Sequence, residues 1–121
     1  MSIIATARIF LERFTPESSI EVEKILQRNA DFYSPSRKGR HWEGAFRTNR
    51  GFTLHVYRTE KVLYDCEQDL KELGLTTNDS PDCVLITTAQ GGPEDLQFCE
   101  SLVSAISKNL NGHTLGAVLG S

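Results

Sequence analysis

Cysteine, methionine, tryptophan and proline are all scarce in this chain: three, one, one and four among 121 residues. The three cysteines, Cys66, Cys83 and Cys99, are odd in number and far apart. That excludes a disulfide scaffold and points to a reducing compartment. No apolar run approaches the roughly 18 residues of a membrane-spanning helix. The stretch Met1 to Arg8 lacks a basic segment followed by a long apolar core, so a secretory signal is not expected and a cytoplasmic location is. Neither a GxGxxG nor a GxxxxGK[ST] phosphate loop occurs, and no His/Cys group has zinc spacing. Neither cofactor nor metal is therefore expected, and no motif names a reaction.

What is present has the composition of an ordinary globule, 39% hydrophobic and 24% charged, at a length suited to a single domain spanning 1–121. Residues 3–11 are β-branched and apolar and read as a buried strand. Thr15-Pro16-Glu17 supplies an N-cap, a first-turn proline and an acid, opening a helix with Val22, Ile25, Leu26, Asn29 and Tyr33 on one stripe. A hairpin follows. Trp42, Gly44 and Phe46, then Phe52, Leu54 and Val56, alternate with polar residues around the turn Thr48-Asn49-Arg50-Gly51. Leu63, Cys66, Leu70 and Leu73 suggest a short helix, Cys83 to Ala89 a central strand, and Leu96 to Leu110 a second long helix. Thr114 to Leu119 reads as the last strand. The expected fold class is α/β (α+β): a two-layer sandwich of a mixed five-stranded sheet, two long helices and one short one, in the order β-α-β-β-(α)-β-α-β. The final strand–helix–strand unit predicts a parallel crossover and places the helices on one face. This order of elements resembles a ferredoxin-like domain with an extra helix inserted.

The net charge of −3 conceals a segregation. Residues 37–61 hold seven basic and two acidic groups (+5), whereas 62–100 hold one basic and nine acidic groups (−8). If these became separate faces, the acidic one could steer a basic partner. Asp65, Glu67, Asp69 and Glu72 fall on the short helix and are the candidate partner-binding residues. The basic run Arg37-Lys38-Gly39-Arg40 has the chemistry for nucleic acid, but a sequence pI near 5.6 and the lack of any nucleic-acid motif speak against that partner.

The polar hairpin face holds the other candidates: His41, Glu43, Arg47, His55 and Tyr57. A histidine that a glutamate orients can do general acid–base work. Counting back from the turn sets 43–47 opposite 52–56 and brings Glu43 towards His55. Gln90-Gly91-Gly92-Pro93 opens a helix where anions can bind, yet Glu94 and Asp95 would repel a phosphate.

Small size, acidity and the lack of catalytic motifs together resemble the small cytosolic immunity proteins that neutralise bacterial toxins, many of them basic nucleases. The resemblance implies a protein-binding module that docks carboxylates on a basic partner; the lack of an apolar span argues against a membrane partner, and a homodimer is left open. The alternative is a small enzyme or ligand-binding domain using His41, Glu43, His55 and Tyr57. The lack of a nucleophile motif leans against an enzyme.

Overall fold

A computed structural model describes residues 4–35, 39–58, 63–75 and 81–120, with the side chains of 35 and 63–65 outside that description. Nine elements follow one another: β1 (Ile4–Leu11), α1 (Pro16–Asn29), β2 (Phe32–Pro35), β3 (His41–Phe46), β4 (Arg50–Arg58), α2 (Leu63–Glu72), β5 (Asp82–Thr88), α3 (Pro93–Leu110) and β6 (His113–Gly120). The strands form one six-stranded sheet in the order β2-β3-β4-β5-β1-β6, and every neighbouring pair is antiparallel.

This corrects the five-stranded mixed sheet in three respects. First, α1 stops at Asn29, whose amide donates to the Ile25 carbonyl at 2.8 Å, and Ala30 is extended. Phe32–Pro35 then forms a strand on β3 instead of another helical turn. Tyr33 reaches the core from that strand, so its helical spacing from Asn29 was coincidental. Gly44 makes the pairing feasible, because a Cβ there would collide with the Phe32 carbonyl. Second, β5 and β6 do run the same way, but β1 lies between them and is antiparallel to both. Among the described residues no parallel ladder forms. Third, the helices occupy both faces of the sheet.

The division of faces follows strand alternation. Ala5, Ala7, Ile9 and Leu11 of β1, Trp42 and Phe46 of β3, Phe52, Leu54 and Val56 of β4, and Val84 and Ile86 of β5 point to one side. They meet Val22, Ile25 and Leu26 of α1 and Phe98, Cys99, Leu102, Val103 and Ile106 of α3. Phe46 and Phe98 stack there at 3.8 Å between centroids. On the opposite side a small cluster of Phe10, Cys83, Cys66 and Leu70 seats α2 over one corner of the sheet. The inward hairpin residues are those the alternation predicts. The turn is displaced: Arg47, Thr48 and Asn49 carry the positive φ values, and Arg50 and Gly51 already belong to β4.

Candidate functional site

Among the described residues no helix but α2 lies on the outer face of the sheet, and the register arranges its side chains in rows. His41 pairs with His55, His55 with Leu85, and Leu85 with Arg8. The next row runs Glu43, Thr53, Thr87, Thr6 and Val118. Period-two alternation places Thr53 on the polar hairpin face, as found, whereas Thr6, Arg8 and Thr87 of β1 and β5 were not anticipated as its surface neighbours. The signal was their alternation with apolar residues in strands read there as buried on both sides.

Within these rows three side chains form a chain of hydrogen bonds. Glu43 Oε1 lies 3.1 Å from His41 Nε2, and His41 Nδ1 lies 3.1 Å from His55 Nδ1. The hairpin register therefore differs from expectation. Glu43 faces Thr53, and its carboxylate reaches His55 through His41 rather than directly. The second row borders a shallow open cavity of about 440 Å³, whose lining includes Glu43, Gly51, Thr53, Thr87 and Ala89.

With both rings neutral and Glu43 ionised, one set of tautomers makes both contacts hydrogen bonds. With its carboxylate neighbour, His41 donates Nε2–H to Glu43 and offers the Nδ1 lone pair to His55. His55 then donates Nδ1–H and leaves its Nε2 lone pair free. Partial burial, followed by repulsion from His41 once that ring is protonated and from Arg40, holds His55 below the ordinary histidine pKa. At neutral pH it is an unprotonated acceptor.

The remaining candidates divide. Tyr57 stacks on His55 (6.2 Å between centroids, 19° between planes), but its hydroxyl turns under α2 to Cys66 Sγ at 3.5 Å. Burial raises that hydroxyl's pKa. Arg47 sits in the turn and lines a separate cleft with Arg28 and Phe98, so it takes no part in the histidine face. Cys66, Cys83 and Cys99 are all buried. A hydrogen bond from Cys83 draws the Cys66 thiol down to about 6, donation and burial push Cys83 up, and burial pushes Cys99 up to about 12.

The acidic candidates are not a free array. Asp69 lies 3.9 Å from Arg8, leaving Glu67 and Glu72 exposed on α2, with Gln68 donating to Glu72 at 3.0 Å. The side chain of Asp65 lies outside the described residues. Elsewhere the acidic and basic segments interlock. Arg50 reaches the buried Asp95 at 2.7 Å and Glu94 at 3.4 Å, while Arg58 lies 3.7 Å from the buried Asp82. Four of the seven described carboxylates of 62–100 thus face arginines, two of which come from the basic segment. Asp95 also accepts the Gly92 N–H at 2.7 Å, so a side chain of this chain already fills the start of α3.

Among the described residues no group of three or more His, Cys, Asp or Glu is placed to hold a metal, and no helix is long and apolar enough to cross a membrane. No protein-family model, curated protein or solved structure matches this chain.

Proposed function

We propose that the open sheet face is a proton-transfer site for a small polar ligand, with His55 as the group that takes the proton. The observation that carries this reading is the Glu43–His41–His55 chain, with both links at 3.1 Å. When a ligand gives a proton to His55 Nε2, the Nδ1–H of His55 can move to His41 Nδ1. The positive charge then rests on the ring beside the Glu43 carboxylate instead of on His55, where burial disfavours it. Thr53 and Thr87, next along the same face, offer hydroxyls to hold the ligand's polar groups.

The test is a ring-nitrogen NMR titration joined to a fragment screen read on backbone amides. Expected are an Nε2-protonated His41, a His55 whose titration moves when Glu43→Gln or His41→Gln is introduced, and hits that perturb Thr53, His55 and Thr87 together. A His55 that titrates identically in both variants would sink the relay. Hits confined to other surfaces would move the ligand site elsewhere.

A second reading, an immunity-type module docking on a basic protein, is supported by the exposed Glu67 and Glu72 of α2. Its support shrinks where Asp69 faces Arg8 and where Asp82, Glu94 and Asp95 face other arginines. Capture of a basic partner that Glu67→Gln/Glu72→Gln abolishes, and that salt weakens, would favour it over the histidine site.

A further inference from the structure

The sheet's two edges are of different kinds. β2 is four residues long and ends in Pro35. β6 is eight residues long, His113–Gly120, and among the described residues no strand lies on its outer side. Folded proteins normally blunt a long edge with lysines, prolines or brevity, because its unpaired N–H and C=O groups invite another strand. β6 contains no Lys, Arg, Asp, Glu or Pro. Of the five large hydrophobic side chains exposed among the described residues, three, Leu115 (47%), Val118 (57%) and Leu119 (46%), are on it.

We propose that β6 pairs antiparallel with β6 of a second copy of this chain, joining two six-stranded sheets into one. A two-fold contact sets a strand against itself, so any charge it carried would meet the same charge. An uncharged edge on a chain of net charge −3 avoids that penalty. An antiparallel addition also continues the pattern of every existing pair in the sheet.

The geometry narrows the register. A shift between Ala7 and Ile9, with Gly116 at φ +92°, leaves the regular run at the end of the strand. There Ala117 and Leu119 pair with Ala7 and Ala5 on the helix-covered side, and Val118 pairs with Thr6 on the outer side. Setting Val118 against its own copy makes the two-fold axis perpendicular to the sheet. Each Leu119 then faces an Ala117, and both helical layers lie on the same side.

Sedimentation velocity on the full chain, from micromolar concentration upward, tests this, together with amide exchange at low and high concentration. Expected are a reversible dimer and slower exchange of β6 amides as it forms. Val118→Lys, at an exposed site, should weaken the dimer about tenfold or more, since it sets two ammonium groups across the axis. Phe32→Glu, on the outer face at the far edge, should leave it unchanged. A chain that stays monomeric at the highest concentration overturns the proposal, as does a dimer indifferent to Val118→Lys. A dimer broken by Phe32→Glu would mean face-to-face association and would overturn it equally.

Discussion

The two faces of the sheet are built from the same strands, and they are held in opposite ways. On the inner face, Ile9, Leu54, Val84 and Ile86 are fully buried against α1 and α3 in one continuous cluster. On the outer face, the alternate residues of those strands (Arg8, His55, Leu85 and Thr87) remain half-buried or exposed, and among the described residues only a corner is roofed, by α2. In this fold stability comes chiefly from one face, and the other carries the polar chemistry. A site on the outer face can change its side chains at little cost to the fold, because few apolar contacts depend on them.

Breaking the inner face should have the largest effect. Leu54→Ala removes a fully buried side chain that the strands on either side keep from collapsing inward. We expect a loss of about 3–4 kcal/mol, read as a shift in the midpoint of urea unfolding. Arg50→Ala comes next. It strands the Asp95 carboxylate, which has no exposure and whose Oδ1 has no hydrogen-bond partner. The expected loss is about 2–3 kcal/mol, below the full cost for a buried pair because Arg50 is itself partly exposed. Arg50→Lys should recover only part of it if the two-carboxylate contact matters.

Leu70→Ala tests the outer corner. About 2 kcal/mol should be lost, and the loss should be local. Amides of α2 should exchange much faster while those of β5 barely change. Equal acceleration across the sheet would mean that the two clusters form one cooperative unit.

The smallest effect concerns pH. His55 has a folded pKa below its unfolded value, so the unfolded chain binds its proton more readily. Stability should therefore fall as pH drops from above about 6.5, the unfolded value, through the folded one, and level off below it. His55→Gln should remove this component of the pH dependence and leave stability at pH 8 nearly unchanged. A steeper acid loss in the variant would contradict the assignment.

These contrasts also show what the sequence could reveal. The hairpin and the inner face were legible because period-two alternation is strong over Trp42–Val56. The pairing of His41 with Glu43 and His55 was half legible: shared face followed from parity, whereas the link through His41 required the register. β2 was hidden because four residues ending in proline give no periodic signal, and Tyr33 happened to fit a helical stripe. The side of the sheet that α2 covers was not legible either, since its stripe of Cys66 and Leu70 would fit an apolar patch on either face. The charge segregation misled for a related reason. Segments of opposite sign far apart in sequence attract, and Arg50 and Arg58 fold against Asp95 and Asp82.

The position of β1 has a consequence for the order of events during synthesis. This strand is made early, yet it pairs only with β5 and β6, through contacts such as Thr6 with Thr87 and Ile4 with Gly120. β2, β3 and β4 can zip together as local hairpins soon after they leave the ribosome, but β1 must wait with both edges bare until residues 82–120 have followed. During that interval an apolar strand is open to the wrong partner. The β1–β6 side of the finished sheet is the last part of it to close.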